Sequence, residues 1–194
     1  MPKNKDFQKL RNLVENCKKC KLHKTRNKPV LDEGSLNAKI MLIGEAPGYN
    51  EDIQGRPFVG RAGKILDELL NFIDLKRSDV FIANILICRP PKNRNPLKSE
   101  IFMCKKYLNK LIKIINPVII APMGNFASSY IFKKYGLKIE IIGKIHGKEY
   151  QINKDSGIIR IIPLYHPAIA IYNVSKKNIL FDDFKLIKKT FDQL

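Results

Sequence analysis

Four cysteines and a few polar side chains at the ends of apolar runs are where this sequence has chemistry to offer. Cys17 and Cys20 form a CxxC pair, and Cys88 and Cys104 follow at a wide spacing. In a chain whose first residues show no secretory signal, thiols serve as metal ligands more readily than as disulfides. Zinc ribbons use two tight CxxC turns, whereas iron–sulfur clusters accept scattered thiolates. The spacing therefore favours a cluster over zinc, with buried unligated cysteines as a third reading. Asn84 interrupts the apolar run 81–87, and a buried amide is either satisfied by backbone or reads a ligand's hydrogen-bonding edge. His166, in Tyr165-His166-Pro167-Ala168, ends the last apolar run and stands where a ligand would meet it.

These groups need elements to position them. The stretch 40–43 is an apolar strand that empties into Gly44-Glu45-Ala46-Pro47-Gly48, an acidic and amide-rich loop, and Gly55-Arg56-Pro57-Phe58-Val59-Gly60. Ala62, Ile65, Leu66, Leu69, Leu70 and Ile73 then line one face of a helix. A long glycine-punctuated loop at the carboxyl end of a buried strand is where open α/β sheets bind ligands. It is neither a P-loop nor a dinucleotide fingerprint, since it lacks Gly-Lys-Ser/Thr and GxGxxG.

The remaining pattern is of the same α/β kind. Phe7, Leu10, Val14 and Cys17 give a first amphipathic helix, and 21–37 reads as a polar loop with His23 exposed. A strand over 80–87 delivers Cys88, and the rigid basic stretch 88–96 suits phosphate contacts. Asn95 is the expected cap of the helix carrying Cys104, Leu108, Leu111 and Ile115, with Pro96 at its first position. A third strand over 118–122, a helix from Gly124, an edge hairpin within 138–157 with His146 on the surface, and a last strand over 158–164 follow. The closing helix buries Leu180, Phe184, Ile187 and Phe191.

The chain has 194 residues, 44% apolar, enough for one well-filled core, so a single domain over 1–194 is expected. Its 36 Lys and Arg against 18 Asp and Glu give a formal charge of +18 and make a polyanion the first partner to consider. The basic residues are spread along the chain, and no apolar run reaches the length of a membrane span, so nucleic acid fits better than membrane. The expected location is cytoplasmic.

Taken together, GEAPG with GRPFVG, Asn84 before CRPPKNR, HPA after the last strand and four cysteines in this order resemble the family-four uracil-DNA glycosylases, the iron–sulfur members of their superfamily. The resemblance covers about 7–191. It implies a three-layer α/β/α sandwich on a central four-stranded parallel sheet, with a [4Fe-4S] cluster on Cys17, Cys20, Cys88 and Cys104. It further implies that Phe58 stacks on a flipped uracil, that Asn84 pairs with its O4 and N3–H, and that His166 donates to O2. Gly44 and Ala46 would line the substrate site, with the Glu45-Ala46 turn holding the leaving anion. Relatives with GQDPY carry Asp where this chain has Ala46, which leaves Glu45 to orient the water or polarise the site, or a reaction dissociative enough to need little base. Residues 48–51, with Glu51 foremost, are the expected barrier to the thymine methyl group.

Arg89, Lys92, Arg94, Asn173, Lys176 and Lys177 are the expected DNA contacts, the last three following an apolar tip that suits a DNA groove. A branch of the superfamily crosslinks to DNA through a histidine in a loop after the CRPP-like motif; residues 90–99 contain none, so turnover is expected. A monomer acting on uracil-containing DNA is the expected working form, and nothing in the sequence assigns a sliding-clamp partner. The competing class is a non-catalytic nucleic-acid-binding protein with a structural iron–sulfur or zinc site.

Overall fold

The computed structural model describes residues 2–154 and 157–194. Its centre is a six-stranded sheet of order β1-β3-β2-β4-β6-β5. The four inner strands, β3 (Val80–Asn84), β2 (Ile40–Gly44), β4 (Ile119–Pro122) and β6 (Gly157–Ile161), run parallel to one another. Edge strands β1 (Asp32–Gly34) and β5 (Tyr150–Lys154) run antiparallel.

The expected four-stranded parallel sheet is thereby corrected to a mixed sheet of six. Edge strand β1 escapes a reading by pattern, whereas β5 falls within the edge hairpin expected over 138–157. Asp32-Glu33-Gly34 is polar and three residues long, and its strand exists because β3 supplies the pairing partner. Gly34 has φ +119°, and a Cβ there would lie 2.0 Å from the Val80 carbonyl oxygen. Only glycine permits that approach.

β2 and β3 are buried at every position, as expected of parallel strands covered on both faces. Alternate residues serve different cores. Met41, Ile43, Phe81 and Ala83 pack with α1 (Pro2–Glu15), α4 (Lys98–Ile115) and α5 (Gly124–Lys134). Ile40, Leu42, Val80 and Ile82 pack with α3 (Arg61–Phe72) and α8 (Lys177–Asp192).

Several local expectations shift. The loop after β2 contains a helix, α2 (Tyr49–Gln54), which its glycines and acidic residues conceal. Strand β3 stops at Asn84, so the amide ends the strand rather than interrupting it, and Cys88 lies in the loop beyond. Cys17 lies just past α1. Helix α4 starts at Lys98, not at Pro96, because the Glu100 carboxylate accepts from the Leu97 N–H at 2.9 Å and closes the first turn. A short helix, α6 (Ile142–Ile145), precedes β5 within 138–157, and another, α7 (Ile169–Tyr172), follows His166. The β5–β6 hairpin is present, and its joining residues 155 and 156 lie outside the described residues.

Candidate active site

The inner strands all end at one edge of the sheet, and their loops enclose a cleft of about 600 Å³. Glu45, Ala46, Phe58, Asn84 and His166 line it together. Beyond the strands, the N–H groups of Ile85 and Leu86 donate to the Gly44 and Glu45 carbonyls, each at 3.0 Å. This ladder brings the Glu45-Ala46 turn beside Asn84. Gly44 underlies the site by having no side chain: a Cβ there would stand 2.3 Å from Asn84 Oδ1 and 2.7 Å from the Phe58 ring.

Asn84 is 4% exposed, its side chain lines the cleft, and none of the side-chain hydrogen bonds among the described residues uses its amide. A buried amide with unmet donors and acceptors is costly unless something else completes it. Glu45 is half-buried, and loss of solvation raises its carboxyl above the usual range.

His166 shares its wall with Phe58, their rings 5.6 Å apart by centroid and 28° from parallel. Enclosure by protein pushes the imidazole pKa down to about 4, against a smaller opposing pull from the Glu51 carboxylate. The Ala168 N–H donates to Nδ1 at 3.2 Å, which leaves the proton of the neutral ring on Nε2.

Glu51 and Arg77 hold the wall in shape. Glu51 accepts from the N–H groups of Gly48, Val59 and Gly60 at 3.1, 2.9 and 2.8 Å, clasping both ends of the loop. Phe58 has φ +53°, a strained conformation for a bulky residue. Arg77 secures it, donating to the carbonyls of Pro57, at 3.1 Å, and of Phe58, while paired with Glu33 and Asp67. Gly63 admits the same carbonyl, since a Cβ there would meet the Phe58 oxygen at 1.7 Å.

The match to known proteins follows this geometry. The family model described as the uracil DNA glycosylase superfamily matches residues 31–192. A type-4 uracil-DNA glycosylase of Saccharolobus solfataricus is 49% identical over 177 residues, covering 91% of this chain and 82% of the relative. That of Archaeoglobus fulgidus is 41% identical over 90% and 87% of the two chains, and that of Thermotoga maritima 39% over 90% and 89%. The chain belongs to the uracil-DNA glycosylase superfamily.

As in the sequence reading of this superfamily member, the four cysteines converge. Cys17, Cys20, Cys88 and Cys104 line one cavity beside Arg26 and Lys19. Three of the sulfurs accept hydrogen bonds, Cys17 from the Tyr107 hydroxyl at 3.0 Å, Cys88 from Arg26 at 3.0 Å, and Cys104 from the Ile87 N–H at 3.4 Å. Burial raises the Cys88 thiol and pushes that of Cys104 up to about 12, so these sulfurs ionise only against a compensating positive charge. No group of three or more His, Cys, Asp or Glu among the described residues is arranged to hold a metal ion. The donor set itself, four thiols with N–H and O–H donors around them, fits an iron–sulfur group.

The expected DNA contacts divide. Arg89 and the exposed Lys92 lie in the loop after Asn84. Arg94 is bound bidentately by Glu100, at 2.9 and 2.6 Å, and its charge is committed within the protein. Lys177 pairs with Glu68 at 2.5 Å, and the Asn173 side chain accepts from the Ser175 N–H. Lys176 is half-buried, while Tyr172 and Val174 before it are 87% and 76% exposed.

Sequence reasoning missed the residues that act through others. Arg77 carried no signal. Asp183 did: it occupies an inward position three residues after Leu180 on α8. Its carboxylate meets His146 Nδ1 at 2.9 Å and accepts from the Tyr165 N–H at 3.4 Å, so His146 is not the surface histidine expected. His23 is half-buried, its Nδ1 2.7 Å from the Cys20 carbonyl. Asp52, buried in α2, accepts from the Asn27 N–H and side-chain amide at 2.9 and 2.6 Å.

Proposed function

We propose that this protein is a monofunctional uracil-DNA glycosylase that extrudes uracil from DNA, hydrolyses its N-glycosidic bond and leaves an abasic site for base excision repair. The observation that carries the reading is the free amide of Asn84 in one cleft with the His166 imidazole, whose Nδ1 is already engaged. Uracil completes both. Asn84 donates to O4 and accepts from N3–H, whereas cytosine presents the reverse pattern and leaves buried groups unpaired.

Cleavage of the C1′–N1 bond puts negative charge on the base and positive character on the sugar. His166 Nε2–H donates to uracil O2 as that charge develops, and N–H groups of the Glu45-Ala46 turn add to the stabilisation. A neutral imidazole gives this hydrogen bond without surrendering a proton. Glu45 orients the water that bonds to C1′, and its raised pKa suits it to take the water's proton. Phe58 packs on the base. Glu51 keeps 48–51 closed over the position of a thymine methyl, so its part in rejecting thymine is to hold the barrier rather than to be its surface.

Cys17, Cys20, Cys88 and Cys104 would hold a [4Fe-4S] cluster, which when bound joins three separated segments by Fe–S bonds and supplies no step of the hydrolysis. Arg89, Lys92 and Lys176 contact phosphates without reading sequence, and the tip at Tyr172 and Val174 enters the duplex. The chain works as one domain over 1–194, a cytoplasmic monomer on an inner sheet of four parallel strands. The test is incubation with a labelled oligonucleotide holding one deoxyuridine, followed by alkali, beside thymine and cytosine controls. Alkali-dependent cleavage at uracil alone is expected; tight DNA binding without cleavage would favour a binding protein.

A further inference from the structure

We propose that Tyr49 and Arg89 form a second base-binding subsite, a stacking platform for the nucleobase next to uracil in the same strand. The inference rests on the glycosylase reading of the cleft. Tyr49 opens α2 and is 59% exposed, yet it lines the same cleft as Asn84 and His166. An aromatic ring held at the mouth of a pocket with a face open to solvent can stack on a ligand's base. The proposed uracil contacts do not use it.

The ring is held in place. Glu51 accepts from the Gly48 N–H and fixes the backbone on which Tyr49 sits. The Arg89 guanidinium carbon stands 5.0 Å from the Tyr49 ring centroid. Arg89 is in turn anchored by Nε donating to Asn93 Oδ1 at 2.7 Å. Lys92 and Asn93 both adopt left-handed φ, +55° and +54°, which turns the loop back toward Arg89. Two elements, α2 and the loop after Asn84, thus converge on one cation–aromatic pair. Tyr172, across the cleft, has no such partner among the described residues.

Extruding uracil strips its neighbour of a stacking face. A fixed tyrosine replaces that face whatever the base, and the adjacent guanidinium reaches the phosphate that follows it. The ligand is therefore any nucleobase with its phosphate, recognised without sequence preference, and the site serves single strands as well as duplexes.

The test uses single-stranded oligonucleotides with one deoxyuridine, flanked by normal bases or by a tetrahydrofuran abasic residue on the 5′ or 3′ side. For the wild-type protein, removing one of the two neighbouring bases is expected to lower kcat/KM. In Tyr49→Ala, the ratio of kcat/KM for base-flanked over abasic-flanked substrate is expected to fall about tenfold on that side. Tyr49→Phe is expected to retain the ratio. A 2-aminopurine beside uracil gives an independent reading in binding, its fluorescence quenched by the wild-type protein and by Tyr49→Phe but not by Tyr49→Ala. An unchanged ratio together with unchanged quenching in Tyr49→Ala would overturn the platform. Lack of cleavage by the wild-type protein with Tyr49-dependent quenching would leave the platform standing and overturn the glycosylase reading instead.

Discussion

The N–H of Ala168 points at Nδ1 of His166, two residues back, and so decides which nitrogen of the ring faces the cleft as a donor. The tautomer is fixed by local backbone, not by a carboxylate partner. His166→Ala is expected to lower uracil excision by about a hundredfold or more while DNA binding persists. Single-turnover cleavage beside equilibrium binding separates the two, and unchanged turnover would refute the oxyanion role.

The same residue sets a pH dependence. Its folded pKa, about 4, lies below the ordinary histidine value near 6.5. As pH falls, the unfolded chain takes up this proton first, so stability contributed at this site decreases from about pH 6.5 to about pH 4. Nitrogen-detected NMR titration of the ring should show it neutral, protonated on Nε2, throughout the neutral range. A midpoint near 6.5 would contradict it.

Arg77 touches no part of the proposed substrate contacts, yet it fixes the carbonyl of Phe58. Arg77→Ala is expected to cost about 1–3 kcal/mol in urea unfolding, the range for a lost charged donor. It should also weaken inhibition by free uracil. In a double-mutant cycle with Phe58→Ala, the effect on uracil should vanish while the effect on stability remains. Additive losses in uracil affinity would show that Arg77 acts elsewhere.

Glu51→Ala removes three acceptor contacts from the loop. Lower uracil cleavage, by about tenfold, and detectable release of thymine are expected. A variant that still ignores thymine would take Glu51 out of the discrimination.

Much of this architecture was legible in the sequence, and the misses share a cause. Asn84 ends a strongly apolar strand, His166 follows shortly after another, and Phe58 sits in the glycine-flanked loop before α3, where pattern and chemistry agree. Edge strand β1 and helix α2 are short and polar, so tertiary pairing forms them and local periodicity does not. Arg77, Asp52 and Asp183 work by reaching backbone or side chains distant in sequence. Arg94 and Lys177 looked like free cations because their partners, Glu100 and Glu68, become neighbours only once the chain has folded.

If the proposed cluster is bound, a chelator that removes its iron should bleach a brown protein and raise hydrogen exchange in 16–28 first. Exchange in α2 should follow, because Asn27 ties that segment to Asp52. Peptide-resolved exchange before and after chelation tests this, and an α2 indifferent to iron would break the connection.

Asp52 is the buried residue of α2, and its partner belongs to a segment that also carries Arg26, which donates to Cys88. The helix at the mouth of the cleft is therefore tied to the cysteine arm through Asp52 as well as to its own loop through Glu51. The outline of the cleft and the cysteine cavity are thereby coupled through one buried carboxylate. Should the four cysteines hold the proposed cluster, a chain lacking it would keep its sheet and lose support at its working edge.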